Sequence, residues 1–318
     1  MILYEGNTGM QGNEDLETIE KWCIKEKFLF SSVYLISANL MIKSVADKKN
    51  IKINVIPIQM FDQWNFSLFN KISNPIDFNP VNEKNLYLCY NRFTRWHRVF
   101  IINELIENNI FNRGLLSLNI QKKNFIKLSY MTDNTFNFIE KELPILIDNM
   151  NLTFNKAENI VVEDYRKTFI SIINETLVEN DTLFITEKTW KPIIMGHPFV
   201  IYGNTGTLKY LKDLGYKTFD KWVDESYDME EDSVVRGKLI VKEIEKISKY
   251  SIEELKSIRE EMYDVCYFNR CHFEELINKN YTHKTNITLI NTINDIWKKL
   301  LDENGLEFKD IKLKRSLL

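Results

Sequence analysis

The densest concentration of chemistry in this chain is the run Phe184-Ile185-Thr186-Glu187-Lys188-Thr189-Trp190-Lys191-Pro192. It leads into Gly196-His197-Pro198-Phe199-Val200-Ile201-Tyr202-Gly203. Thr186 is a good helix N-cap, and Glu187 and Lys188 would open the helix behind it. A helix start offers N–H groups that lack intrahelical acceptors, together with the positive end of the macrodipole, and both suit a phosphate. Lys188 adds a full positive charge at that point, and the Glu187 carboxylate can accept from two ribose hydroxyls. The alternative is an ordinary capped surface helix carrying a solvated Glu-Lys pair. A second cluster, Cys266, Cys271 and His272, has a spacing that matches no strong zinc pattern and lacks a fourth ligand, so no metal is expected there.

The elements that must position these residues follow from the hydrophobic pattern. Short apolar runs at Met1–Tyr4, Ser32–Ile36, Ile51–Ile58, Asn85–Tyr90, Tyr165–Ile173 and Phe199–Tyr202 read as strands. Helix-period segments lie between them at Glu14–Lys27, Arg95–Asn108, Thr186–Met195 and Thr207–Leu214. From Met229 the chain is charged and helical in period almost to its end. Such alternation predicts an α/β fold with parallel sheets, whose ligands lie beyond the carboxyl ends of the strands. Pro75, Pro80, Asn74 and Asn79 suggest a boundary in Ser73–Glu83.

Composition narrows the class further. With 44% hydrophobic residues and a net charge of −3, the chain has ample side chains to bury and is not a disordered one. The charge balance gives no global footprint for nucleic acid, although a local basic patch is compatible with it. No run of about 18 apolar residues is present, so no membrane span is expected. The four cysteines are scattered, and no secretion signal precedes them. That combination points to reduced thiols in the cytoplasm. Abundant Ile, Asn and Lys reflect an AT-rich genome, as in a phage or other virus. Only ten glycines occur. Seven fall in two groups: Gly6, Gly9 and Gly12 after the first strand, and Gly196, Gly203, Gly206 and Gly215 around Phe199–Tyr202.

The Thr186-Glu187-Lys188 segment resembles the nucleotide-sugar site of the α1,3-fucosyltransferase family, whose hallmark is a Thr-Glu-Lys at a helix start. The family also carries a Phe-Glu-Asn-Ser/Thr motif ending a strand. Here Ile172-Ile173-Asn174-Glu175-Thr176 stands there, with Asn and Glu transposed, and the choice between Asn174 and Glu175 as the residue facing the nucleotide stays open. Arg98, with Leu105 seven residues on, matches the family's diphosphate-binding arginine; Arg92 and Arg95 are reserves, and Arg166 is structural. The resemblance covers about residues 85–220.

What the resemblance implies is a glycosyltransferase of the GT-B type, with two Rossmann-like domains facing a cleft and a helical C-terminal part. Its acceptor-side domain would span residues 1–80 and its donor domain 81–285. A C-terminal helix over 286–318 would pack back across the domains. The donor would be a nucleotide-diphosphate sugar, with GDP-fucose among the candidates, held by Arg98, Asn174, Glu175, Glu187, Lys188 and Gly203. No obligatory metal or other cofactor is implied. The family's base is a Glu in a Gly-Glu-Asn motif ending a strand, for which Tyr4-Glu5-Gly6-Asn7 supplies Glu5. Asp62 competes for that role, and His97 beside Trp96 is expected to be packed. The acceptor would be a glycan hydroxyl. A modified DNA base, or loss of catalysis leaving a nucleotide- or glycan-binding module, are the rival expectations.

Overall fold

The computed structural model describes residues 2–5, 13–57, 59, 77–78, 85–91, 94–147, 160–180 and 182–281. They form an α/β structure with two parallel sheets and ten α-helices. In the first sheet the strands β1 (Ile2–Glu5), β2 (Tyr34–Ser37) and β3 (Asn54–Pro57) lie in chain order, with β2 central. Parallel neighbours need a crossover, and helices α1 (Asn13–Lys25) and α2 (Ile42–Lys48) supply the two. Their apolar stripe is short. Leu16 and Cys23 from α1 meet Val33 and Leu35 of the β2 region and Ile42, Val45 and Ala46 of α2. The i, i+3, i+4 spacing of the last three puts them on one helix face.

The second sheet is larger. Its strands are β4 (Tyr87–Cys89), β5 (Gly114–Leu116), β6 (Ile170–Asn174) and β7 (Phe199–Tyr202), in the spatial order β5-β4-β6-β7 and all parallel. Every residue of β4, β6 and β7 is buried, as expected for strands covered on both faces. Helix α3 (Trp96–Glu107) follows β4, and α4 (Asp133–Glu142) and α5 (Val162–Lys167) separate β5 from β6. Helix α6 (Glu187–Met195) joins β6 to β7, and α7 (Thr207–Asp213) follows. The charged stretch after Met229 becomes α8 (Ser233–Ile247), α9 (Ile252–Glu261) and α10 (Tyr263–Tyr281). Helix α8 packs on α3 and β7, and α10 packs on α6.

The strand expected over Tyr165–Ile173 is two elements. Its first part ends α5, where Glu163 and Asp164 sit in the first turn and Arg166 and Lys167 in the last, in the favourable sense for the macrodipole. The Thr168 hydroxyl closes that helix by donating to the Asp164 carbonyl at 2.7 Å, and the strand begins only at Ile170. Arg166 therefore pairs with Glu163 at 3.1 Å on the surface, in a structural role. The acidic segment before α8 is a pair of caps. Asp224 accepts from Ser226 N–H, and Asp232 accepts from the N–H groups of Val234 and Val235. No described helix is long and apolar enough to cross a membrane. Residues 286–318, expected to carry a further helix, lie outside the described residues.

Among the described residues, the end of β2 joins the larger unit through Asn39, with Ala38, Leu40 and Met41 packed against the larger core. The Asn39 side chain, two residues beyond β2, accepts from Met41 N–H and from Leu183 N–H, each at 3.0 Å. Leu40 N–H donates to the Leu183 carbonyl at 2.9 Å. The carboxyl end of β2 is thereby fastened to the loop that leads into Thr186.

Candidate functional site

Strand order locates the site before any side chain is considered. From β4 the chain moves outward to β5, then returns to place β6 on the other side of β4. The connections leaving the carboxyl ends of β4 and β6 therefore diverge, which opens a crevice where ligands of open α/β sheets bind. Two segments leave from that point: one running through Asn91 into α3, the other through Glu175 into α6.

Glu175 is the centre of what they build. Its side chain is only 1% exposed, yet its carboxylate is well supplied with donors. Oε1 accepts from Thr186 N–H at 3.1 Å and from the Thr189 hydroxyl at 2.7 Å. Oε2 accepts from the Thr186 hydroxyl at 2.6 Å and from Thr176 N–H at 3.1 Å. Lys188 Nζ lies 3.8 Å from the same oxygen. Thr186 thus stands at the N-cap, as its spacing predicts, but its own hydroxyl does not cap the helix. The Glu175 carboxylate, one residue beyond β6, instead accepts from the N–H and hydroxyl of this N-cap residue and supplies the negative charge that the helix start attracts.

Lys188 is held from both sides. Its ammonium donates to the hydroxyls of Thr176 (3.0 Å) and Thr186 (2.8 Å) and lies 3.5 Å from Glu187. Lys188 and Glu187 keep 23% and 20% of their side-chain surface exposed, so they face outward where Glu175 does not. Burial raises the Glu187 pKa, but Lys188, Lys191 and hydrogen bonds outweigh it, and its carboxyl lies below the usual range.

Across the crevice, the first turn of α3 carries His97 and Arg98, both buried. His97 Nε2 lies 2.9 Å from the Glu175 carbonyl oxygen; a carbonyl only accepts, so this nitrogen carries the proton. Burial and then the cations Arg98, Arg95 and Lys188 push the His97 pKa down to about 3, which keeps the ring neutral. As expected, it is packed, with its edge against Trp96 and Tyr202. Arg98 also reaches the Glu175 carbonyl, at 3.5 Å. Burial, followed by Arg95, lowers its pKa to about 10, so it remains charged at neutral pH. Among the described residues, the cations Arg95, Arg98, Lys188 and Lys191 and the carboxylates Glu175 and Glu187 act on one another in this cluster.

Asn174 faces inward as well. Its amide donates to Asn91 Oδ1 at 2.9 Å and to Cys89 Sγ at 3.3 Å, tying the end of β6 to the end of β4. Gly203 lies opposite, after β7. A Cβ there would sit 3.1 Å from Thr207 Oγ1 and 3.5 Å from Glu175 Cβ, so the backbone approaches this cluster closely. The loop between Glu175 and Thr186 is pinned by Asn204, which accepts from Phe184 N–H (3.0 Å) and donates to the Glu179 carbonyl (2.6 Å) and the Thr182 hydroxyl (2.7 Å). Arg236 also donates to the Val178 carbonyl.

The structure thus brings Arg98, Asn174, Glu175, Glu187, Lys188 and Gly203 to one crevice. Glu5 closes β1, in register with Ser37 of β2, at the carboxyl edge of the other sheet. Asp62, Arg92 and the glycines Gly6, Gly9 and Gly12 lie outside the described residues. The Cys266, Cys271 and His272 cluster is dispersed. Cys266 is buried, Cys271 exposed, and His272 Nε2 lies 2.7 Å from the Leu214 carbonyl oxygen. Among the described residues, no three His, Cys, Asp or Glu side chains are grouped to hold a metal ion.

Asn39, Asn91, Asn204, Thr176 and Thr189 are supports that the sequence did not single out. Asparagine is abundant here, and nothing in the chain distinguishes the buried ones. Comparison of the chain with known protein families, curated proteins and solved structures returned no match.

Proposed function

We propose that the chain is a glycosyltransferase that moves a sugar from a nucleotide-diphosphate sugar to a glycan hydroxyl, with inversion and without an obligatory metal. In this reading the two parallel sheets belong to two Rossmann-like domains. The observation that carries it is the placing of two fixed cations, Arg98 and Lys188, at the switch point between β4 and β6. As the bond from the sugar's anomeric carbon to the diphosphate breaks, negative charge accumulates on the departing phosphate oxygens. Arg98 is held on the Glu175 carbonyl, and Lys188 on two threonine hydroxyls. Both cations stand in place before charge develops, which is electrostatic preorganisation. Glu187, ionised and partly exposed, would accept from the ribose hydroxyls. The acceptor hydroxyl attacks the anomeric carbon from the opposite face, and its proton passes to a carboxylate, with Glu5 as first candidate and Asp62 as second.

The test is a thermal-shift screen over GDP, UDP, CMP and their sugars, because a ligand that binds only the folded chain raises its apparent stability. One nucleotide-sugar should stabilise the parent, and Lys188→Ala should weaken its binding by about a hundredfold, as expected when a charge-assisted contact to phosphate is lost. Near-parental affinity in Lys188→Ala for every such donor would remove the donor-site assignment. Binding without any transfer to glycans would leave a binding module, and salt-sensitive retention on DNA would point to a DNA acceptor.

A further inference from the structure

Glu175 stands at the centre of the crevice, yet it has nothing left to offer a ligand. A carboxylate presents about four lone-pair directions. Thr186 N–H and the Thr189 hydroxyl take those of Oε1, and the Thr186 hydroxyl and Thr176 N–H take those of Oε2. With its side chain only 1% exposed, no direction stays open to a ribose hydroxyl. Glu187 differs, because 20% of its side-chain surface faces outward.

What Glu175 controls is the direction of its neighbours' hydrogen bonds. A threonine hydroxyl has one proton, and Thr186 donates it to Oε2 at 2.6 Å. The hydroxyl oxygen therefore turns its lone pairs elsewhere, and Lys188 Nζ donates to it at 2.8 Å. Thr176, whose N–H is bonded to the same carboxylate oxygen, accepts from Lys188 Nζ at 3.0 Å through its own hydroxyl. Both of these hydroxyls belong to residues that Glu175 holds in place. Its own approach to the ammonium, at 3.8 Å, is an ion pair too long for a hydrogen bond. Lysine carries its charge on a flexible four-carbon stem with considerable rotamer freedom. Here that freedom is removed before any ligand arrives.

We propose that Glu175 is a positioning residue: through Thr186 and Thr176 it fixes the Lys188 ammonium in the crevice, and it does not itself touch the donor. The proposal rests on the reading of Lys188 as a ligand of the diphosphate. It fixes the sign of a measurable effect. A carboxylate that merely balanced charge would oppose an incoming anion, so neutralising it would tighten anion binding. A carboxylate that acts by placing Lys188 does the reverse, and neutralising it weakens anion binding. Glu175→Gln keeps the shape, yet in either orientation it sets an amide NH₂ against two of the four donors.

The experiment is calorimetric titration of the full chain with inorganic pyrophosphate, which has the charge of a diphosphate and no ribose, in buffer without divalent metal. The parent should bind it, and Lys188→Ala should bind it far more weakly. Glu175→Gln should weaken binding by about tenfold relative to the parent. Thr186→Val removes the hydroxyl but keeps the N–H and the branched shape, and it should do the same, whereas Thr186→Ser should restore the parental value. A second readout is the ¹⁵N NMR signal of the Lys188 ammonium in the unliganded chain, identified by its absence in Lys188→Ala. Protons protected from exchange should make it visible in the parent and in Thr186→Ser, and it should be lost in Thr186→Val. A merely structural Glu175 would shift the unfolding midpoint and move neither readout. Unchanged or tighter binding in Glu175→Gln or Thr186→Val, with binding still lost in Lys188→Ala, would overturn the proposal and leave the donor site standing. Equal affinity of the parent and Lys188→Ala, or no binding by either, would overturn the donor-site reading and this proposal with it.

Discussion

The two parallel sheets are built on different scales. Among the described residues, the first has eight buried apolar side chains in its core, and its third strand is only half-buried at every position. The second buries β4, β6 and β7 completely beneath helices on both sides. The charged cluster belongs to the larger one. Glu175, His97 and Arg98 are all out of water, and the hydrogen bonds to the Glu175 carboxylate and carbonyl offset much of the cost of holding them there.

The hardest blow to the larger unit should come from its buried carboxylate. Glu175→Ala strips the acceptor from two threonine hydroxyls and two backbone N–H groups, and leaves Lys188 without its buried partner. Removing one member of such an arrangement costs about 4 kcal/mol. Urea unfolding should show a loss of that order, and a loss below about 1 kcal/mol, the scale of a surface pair, would mean that the cluster adds little to this sheet.

A matched pair of core truncations sharpens the contrast. Ile42 in α2 and Ile201 in β7 are both fully buried, and each Ile→Ala change should cost about 3 kcal/mol. The cost should be local. Ile42→Ala should speed hydrogen exchange in β2 and β3 while β6 and β7 keep their protection, and Ile201→Ala should do the reverse. Equal loss of protection everywhere would mean that the two cores unfold as one.

Acid should separate the units next. His97 and His197 lie in the larger unit, and burial lowers the pKa of both, to about 3 for His97 and well below 6.5 for His197. A histidine whose folded pKa is depressed contributes stability above its unfolded value, near 6.5, and loses it as pH falls toward the folded value. Between pH 6.5 and 5 His97 should remove about 2 kcal/mol from the larger unit, and His197 acts in the same direction. Residues 1–80 contain no histidine, so the first sheet should be spared this effect. Urea unfolding at pH 7 and pH 5 measures it, and His197→Gln should reduce the slope. A pH-independent midpoint would show that these rings titrate in the folded chain as they do in the unfolded one.

The helix start at Thr186 was legible because cap chemistry is local: a threonine and two charged residues before an apolar stripe define it within a residue. The sheets were legible for a similar reason, since continuous apolar runs such as Phe199–Tyr202 belong in covered parallel strands. Tyr165 misled because an aromatic beside Val162 fits a strand as readily as a short helix, and acidic and basic turn residues decided the matter. What the sequence concealed was the use of polar residues as fasteners. Asn39, Asn91 and Asn204 are each no more than 1% exposed, yet they sit in a chain so rich in asparagine that none stands out. Glu175 was legible as a site residue, but its inward direction depends on Thr186 and Thr189 returning to it from eleven and fourteen residues away.

The contact between Asn39 and Leu183 has a mechanical meaning. Two hydrogen bonds to adjacent backbone groups resist separation far more than rotation, so they act as a pivot placed three residues before Thr186. A rotation of the first sheet against the second about that point would move nearby points least and the far rim most. Glu187 and Lys188 would then keep their position relative to the end of β2 throughout such a motion, and the distance that changes most would be the one between the remote edges of the two sheets.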